Sequence, residues 1–494
     1  MAAAAAVAAL AVATGAGADS GPVPMRFGIA DDWPKWHACG DVWWQSVADI
    51  GLQEVRMTVQ WDDSQPTVIP SQDELQGAID CAVRNDVVPV LAIYPLRPGA
   101  IGGKPAAQAQ FAAFVALVGT AFPQVTNFVV GNEPNVNRFW QPQYVGGRDA
   151  AATDYEHTLA ASYDALKAVR PDAVVWGPAI SSRGNDDPYA LSNPSHSPVW
   201  FIKDLGDAYR ASGRTKPIFD EFDMHPYPPV QDTAPFTRSF QWPQAGAADL
   251  GRIKQALWDA FHGTAQPLPA EYGGGRSATA GLPINLDEAG EQTTVVGHAA
   301  PYVHPPETVQ PIDEATQAQR YVALARIGEC DPDVKSILWF PLIDDGGLSD
   351  GFQSGELFAD LAHKQSYDAL KAQIASSQGF CQGISQRWVH TRTVVGAAVV
   401  PALSSNRIAV TASEDALYSA SLVPFPGARG PSSATVALAR GVVRAYRRPP
   451  ITLPSTIRPG TYRIRVVVTA ATDPERTATL VSRPFTVGTK KRRK

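Results

Sequence analysis

A chain of 494 residues is longer than one hydrophobic core usually fills, so at least two domains are expected. With 45% hydrophobic and 18% charged residues the chain reads as globular, which excludes an intrinsically disordered polymer, and only four Cys exclude a small disulfide-framework scaffold. The formal net charge of −6 conceals opposite halves: residues 387–494 carry 18 Lys/Arg against 4 Asp/Glu, so the preceding part is strongly acidic.

Residues 1–18 are nearly all Ala and Val and end in Gly15-Ala16-Gly17-Ala18, the pattern of a signal peptide with a small-residue cleavage site. Export is expected, to a secreted or cell-envelope location. No later stretch approaches the ~20 uninterrupted apolar residues of a membrane-spanning helix, so no transmembrane anchor is expected in the mature chain.

Residues 24–378 alternate short apolar runs with segments of helical period, which signals repeated βα units and a parallel sheet. The strand candidates are Met25–Ala30, Glu54–Thr58, Val87–Tyr94, Asn127–Gly131, Val174–Gly177, Pro217–Met224, Ile284–Asp287 and Ser336–Phe340. Asp154–Val169 shows the intervening helical reading: Leu159, Tyr163, Leu166 and Val169 fall on one face, and Pro171 ends it. Eight such units close most simply into a (β/α)8 TIM barrel, an α/β fold; an open doubly wound sheet is the alternative, but its Gly-rich dinucleotide fingerprint is missing. Long connections such as Ser181–Ser197 and Gly290–Asp313 follow strands and therefore belong to the C-terminal face, where barrel enzymes keep their sites. The Gly-rich loop His262–Leu282 precedes a strand and has no place in that scheme.

Cys330 ends a helix before the eighth strand and Cys381 follows the last helix, so both lie at the N-terminal face and are the candidates for one disulfide. Cys39 and Cys81 are expected at opposite ends and unbonded. After residue 378 the character changes: a linker over 379–400, a small β-sandwich over 401–489 with β-branched runs such as Arg407–Thr411 and Tyr462–Thr469, and a basic tail over 490–494. This basic domain suits an anionic cell-envelope polymer, held by screened electrostatics; nucleic acid is not expected, because no aromatic-bearing basic strand pattern of a known module is present.

Hydrolysis of a glycosidic bond requires one carboxyl group to protonate the leaving oxygen and a second to attack or to activate water. Two Glu stand at predicted strand ends. Glu133 lies in Phe128-Val129-Val130-Gly131-Asn132-Glu133-Pro134-Asn135 after the fourth strand, and Glu288 lies in Ile284-Asn285-Leu286-Asp287-Glu288-Ala289-Gly290 after the seventh. Asp287 and Glu291 are the neighbours most easily confused with Glu288, but strand alternation is expected to turn Asp287 to the opposite face. Competing chemistries find no motif: there is no His-x-x-x-His zinc helix, Gly-x-Ser-x-Gly elbow or phosphate loop.

The two carboxylates in these positions resemble glycoside hydrolase clan A, in which an Asn-Glu pair ends strand four and a Glu ends strand seven. The resemblance spans the whole predicted barrel. It implies Glu133 as general acid/base and Glu288 as nucleophile, with Asn132 on the sugar 2-hydroxyl. It further implies Arg56 as the strand-two cation beside the nucleophile, His225 and Tyr227 as the His-x-Tyr pair after strand six, and Trp339 as the sugar-stacking Trp of strand eight. Trp61 and Trp140 are expected as further apolar walls for sugar. The run Asn132-Glu133-Pro134-Asn135 with Phe139-Trp140, followed by Trp176-Gly177-Pro178-Ala179, looks most like family 39, with family 5 next; Ala289-Gly290 after Glu288 departs from the usual family 39 segment. The implied reaction is a double displacement with retention, requiring neither metal nor cofactor. A non-catalytic barrel that binds carbohydrate at the cell envelope is the alternative, disfavoured because both carboxylates are present.

Overall fold

The computed structural model describes residues 23–229, 234–271, 281–303, 309–348, 351–401, 407–425, 435–453 and 456–487. The expected signal peptide, the basic tail and parts of the loops His262–Leu282 and Gly290–Asp313 lie outside the described residues.

Eight parallel strands form a closed barrel: β1 (Arg26–Ala30), β2 (Glu54–Trp61), β3 (Val88–Pro95), β4 (Asn127–Val130), β5 (Val174–Ser181), β6 (Glu221–His225), β7 (Ile284–Ala289) and β8 (Val334–Trp339), with β8 pairing β1. Helices α1 (Val42–Ile50), α2 (Gln72–Arg84), α3 (Pro105–Ala121), α4 (Ala151–Val169), α5 (Pro198–Ser212), α6 (Leu250–Phe261), α7 (Glu314–Cys330) and α8 (Gln365–Ser377) follow the strands in turn. Helix boundaries have local causes. The Asp41 side chain caps α1 by accepting from the Trp43 and Trp44 amides, and Gly51 ends it in the left-handed region at φ 88°. On α4 the buried stripe is Tyr155, Leu159, Ser162 and Leu166, whereas Val169 is exposed: the last turn has passed beyond the barrel wall.

Strand alternation sorts side chains between the barrel interior and the helix layer. Val90, Ala92, Val129, Trp176 and Ala179 form a small apolar cluster, and polar residues fill much of the remaining interior. Towards the N-terminal end Arg26 pairs with Glu54 at 2.8 Å, Lys335 pairs with Glu221, and Asn285 donates to Glu221 at 2.8 Å. The buried carboxyls of Glu54 and Glu221 are thus each met by a cation whose side chain reaches out towards solvent.

Two disulfides are present. Cys330–Cys381 joins the end of α7 to the segment after α8, with Cα atoms 4.5 Å apart. Cys39–Cys81, at 5.7 Å, corrects the expectation that these two would stay apart. That expectation placed Cys39 and Cys81 at opposite ends of the barrel. Residues 31–41, however, connect β1 to α1 through a 3-10 turn at Trp33–Lys35, and this turn packs against α2. Cys39 thereby reaches the last turn of α2, where Asn85 Nδ2 lies 3.7 Å from one sulfur and 3.4 Å from the other.

The C-terminal part is a β-sandwich. A three-stranded sheet of β9 (Ala398–Pro401), β10 (Arg407–Thr411) and β13 (Pro450–Thr452) faces a five-stranded sheet of β11 (Ala416–Pro424), β12 (Val436–Val443), β14 (Gly460–Ala470), β15 (Thr477–Val481) and β16 (Phe485–Val487). Val410 and Ile451 from one sheet and Leu422, Ile464 and Val466 from the other share one core, which Val394 already joins before the first strand. The sandwich is clamped to the barrel by Arg476, which meets Asp259 of α6 at 2.6 Å and Glu414 at 2.7 Å, all three side chains being buried.

The Cys39–Cys81 bridge closes a loop with a sequence separation of 42, for which loop-closure entropy gives about 2–4 kcal/mol. The Cys39→Ser/Cys81→Ser double variant should lose about that much in denaturant unfolding. Wild-type protein should yield no alkylated thiol by mass spectrometry until it is unfolded and reduced.

Candidate active site

At the C-terminal end of the barrel a cleft of about 730 Å³ is lined by Arg56, Asn132, Glu133, Tyr227 and Glu288, among others. Each arrives by a local backbone device. After β4 the chain turns sharply: Gly131 sits at φ 108°, where a Cβ would come within 2.8 Å of the Tyr155 ring, and Glu133 itself sits at φ 40°. A left-handed Glu costs on the order of 1–3 kcal/mol, offset in part by its amide donating to Ala179 O at 2.9 Å. Pro178 and Ala179 bulge out of β5, since Gly177 and Ile180 pair with Phe222 and Met224, residues only two apart. The Ala179 amide then donates to Asp223 Oδ1 at 2.6 Å.

A second bulge corrects the expected orientation of Asp287. Leu286 and Ala289 of β7 pair with Ile337 and Trp339 of β8, so three steps on one strand oppose two on the other. Alternation is broken there, and Asp287 and Glu288 lie on the same side: Arg56 reaches both, at 3.1 and 3.4 Å, and His225 reaches both, at 3.5 and 3.7 Å. Glu291 is elsewhere, buried in an ion pair with Arg320 at 2.6 Å.

Arg56 and His225 organise the site. The Arg56 guanidinium, 3% exposed, also donates from Nη2 to Asn132 Oδ1 at 2.8 Å. Burial alone would lower its pKa, but Asp287 and Glu288 reverse that and raise it. His225 is fully buried, with Nδ1 3.0 Å from Glu133 Oε1 and 3.7 Å from Glu288 Oε2. Burial opposes the imidazolium; Glu288 and Asp287 outweigh it and hold His225 well above its ordinary range. Glu288 is gripped at both oxygens, by the Tyr227 hydroxyl at 2.7 Å and by Arg56. Beneath them, burial first and then the neighbouring Asp287 push the Asp223 carboxyl well above the carboxylate range.

The structure thus brings Arg56, Asn132, Glu133, His225, Tyr227 and Glu288 together, and it removes the three Trp expected to meet sugar. Trp61 is fully buried edge-on to Phe111 of α3, because inward Glu54, Arg56 and Thr58 leave the odd positions of β2 facing the helices. Trp339 packs towards α7 between Phe27 and Tyr321, and Trp140 packs edge-on to Tyr155 of α4. In two cases the adjacent aromatic lines the cleft instead: Phe139 beside Trp140 and Phe340 beside Trp339. Tyr94, Asp31, Arg138 and Arg183 also line it and had no sequence motif to mark them. Asp31, accepting from the Trp43 indole and the Trp33 and Leu342 amides, is pushed up to about 6 by burial.

No protein-family model matches the chain, and no curated protein sequence does. Among solved structures it is similar to a family 39 glycoside hydrolase from Bacteroides cellulosilyticus WH2, at 14% identity and TM-score 0.48, covering 87% of this chain and 81% of that one. It is similar also to a β-xylosidase from Caulobacter crescentus CB15 (14%, TM-score 0.45, 89% and 95%) and a glucosidase from Croceicoccus marinus (12%, TM-score 0.48, 96% and 94%). Identity this low leaves the chemistry to be read from the site's own geometry.

Arg56→Met would leave Asp287 and Glu288 with His225 as their remaining cationic partner and should destabilise the fold by about 3–5 kcal/mol in urea denaturation. His225 gives a pH signature. Its folded pKa lies above the unfolded value of about 6.5, so its stabilisation is complete below that pH and is lost as pH rises through the folded value. The stability gap between wild type and His225→Gln should therefore be widest at acid pH and shrink towards alkaline pH; a gap independent of pH would contradict this electrostatic account.

Proposed function

We propose that the protein is a retaining O-glycoside hydrolase acting on oligo- or polysaccharide, with Glu133 as acid/base and Glu288 as nucleophile. The observation that carries this reading is the shared nitrogen: Glu133 Oε1 and Glu288 Oε2 lie 3.0 and 3.7 Å from His225 Nδ1. These two oxygens are then no more than about 6.7 Å apart, a bound that supports the reading because it accommodates the ~5–5.5 Å carboxyl separation of a retaining enzyme.

In the first step Glu133 gives its proton to the departing glycosidic oxygen while Glu288 attacks the anomeric carbon, forming a glycosyl ester and freeing the leaving alcohol. Tyr227 and Arg56 hold the Glu288 carboxylate, and His225 orients Glu133. Water then enters, Glu133 takes its proton, and attack on the anomeric carbon releases the sugar with configuration retained. Asn132, fixed by Arg56, is the residue for the sugar 2-hydroxyl. Phe139, Phe340 and Tyr94 supply the apolar walls. The Ala-rich leader and two disulfides support an exported enzyme, and the basic sandwich is its proposed anchor on anionic envelope polymer.

A panel of aryl α- and β-glycosides and polysaccharides, with the first-formed anomer followed by proton NMR, tests the reading. Glu288→Gln should abolish turnover and leave sugar binding nearly intact. Glu133→Gln should slow unactivated glycosides by about 10²–10⁴-fold and, with activated aryl glycosides, spare the first step while slowing the second, so that a burst of aryl alcohol precedes slow turnover. Inversion would overturn the mechanism. Binding without turnover across the panel would mark a carbohydrate-binding barrel instead.

A further inference from the structure

Away from the carboxylate pair, Asp149, His196 and Asp204 converge with one ligand atom each, all within 4.8 Å of one another. Asp149 ends a short hairpin before α4, His196 lies two residues before α5, and Asp204 lies within α5. Three observations separate this group from an ordinary surface cluster. His196 is 2% exposed, and its Nε2 faces the Gln143 carbonyl oxygen at 3.1 Å. A carbonyl only accepts, so Nε2 carries a proton and Nδ1 is the ring nitrogen available as a ligand, oriented as metal-binding His usually is by a backbone oxygen. Asp149 Oδ2 lies 3.2 Å from that Nδ1 with no hydrogen bond between them, because with the ring proton on Nε2 a bare nitrogen faces a carboxylate oxygen and both can only accept. The separation matches the edge of a zinc tetrahedron, about 3.4 Å for bonds of about 2.0–2.2 Å. Lys203 holds Oδ1 of Asp204 at 2.9 Å and also reaches Asp207 at 2.6 Å, so it neutralises the helix side of the cluster without entering between His196 and Asp149.

We propose that Asp149, His196 and Asp204 form a site for a divalent cation of the zinc or manganese type, with one nitrogen and two carboxylate ligands and water completing the shell. The site is structural and independent of the glycosidase reading. Its consequence reaches the cleft nonetheless. The His196 amide donates to Asn135 O at 2.8 Å, and Asn135 Nδ2 returns a bond to His196 O at 2.8 Å. Asn135 stands two residues beyond Glu133, and Gly184 presses so closely on the His196 backbone that a Cβ there would lie 2.0 Å from its carbonyl carbon. A cation would tie the hairpin, α5 and the turn carrying Glu133 into one unit.

The test is calorimetric titration of Zn²⁺, and separately Mn²⁺, into full-length protein stripped with chelator, alongside Asp149→Asn and Asp204→Asn. The Asp204 side chain is 29% exposed on α5, so Asp204→Asn is expected to fold and carries the test if Asp149→Asn does not. We expect one equivalent bound by wild type, a rise in the thermal midpoint on loading, and stoichiometry falling to zero in Asp204→Asn while its chelator-treated midpoint matches wild type. No uptake by wild type, or uptake that survives in both variants, would overturn the site.

Discussion

The buried guanidinium of Arg56 is the interaction on which the site depends. Three strands meet at it: Asn132 after β4 and Asp287 and Glu288 on β7 all lie within 3.4 Å of its nitrogens, which come from β2. A cation in a protein interior is costly unless anions and acceptors surround it, and a pair of adjacent carboxylates is equally costly without a cation. Each therefore requires the other. The polar interior of the barrel below, with Arg26–Glu54 and Lys335–Glu221, repeats the same solution at the N-terminal end.

Backbone irregularities do the positioning. An unbroken β7 would send Asp287 and Glu288 to opposite faces; the bulge keeps both on Arg56 and His225. A regular turn after β4 would carry Glu133 away from β5; the left-handed residue, bonded to Ala179 at the β5 bulge, holds it over His225. Strain at these points is tolerated because closed barrel walls fix the surrounding strands. His225 contacts both carboxylates at once, which links the electrostatics of the site to the spacing of the pair.

The clamp between domains follows the same rule of paired charge. Arg476 comes from a domain rich in cations and is answered by Asp259 on the acidic barrel, with Glu414 completing the set. A stacked pair of Trp258 and His390, with ring centroids 4.0 Å apart, continues this contact along the connecting segment. Opposite net charges in the two halves are thus joined at one buried point.

Periodicity by itself determined the βα alternation, the eight strands and their order, because burial of one face imposes a period of 2 or 3.6 whatever the partners are. The strand-end positions of Glu133 and Glu288 were legible for the same reason. Facing was legible only where alternation continues unbroken. Asp287 and Glu288 share a side through a bulge that no residue pattern announces, and Trp61, Trp140 and Trp339 fill the shell between barrel and helices while Phe139 and Phe340 take the cleft. A Trp serves equally well as core or as sugar platform, so its composition carries no direction. The Cys39–Cys81 bond was hidden by an irregular connection whose path depends on packing against α2. Local sequence fixes what each segment is; only closure of the barrel, which brings residues distant in the chain within ångströms of one another, decides which side chains meet.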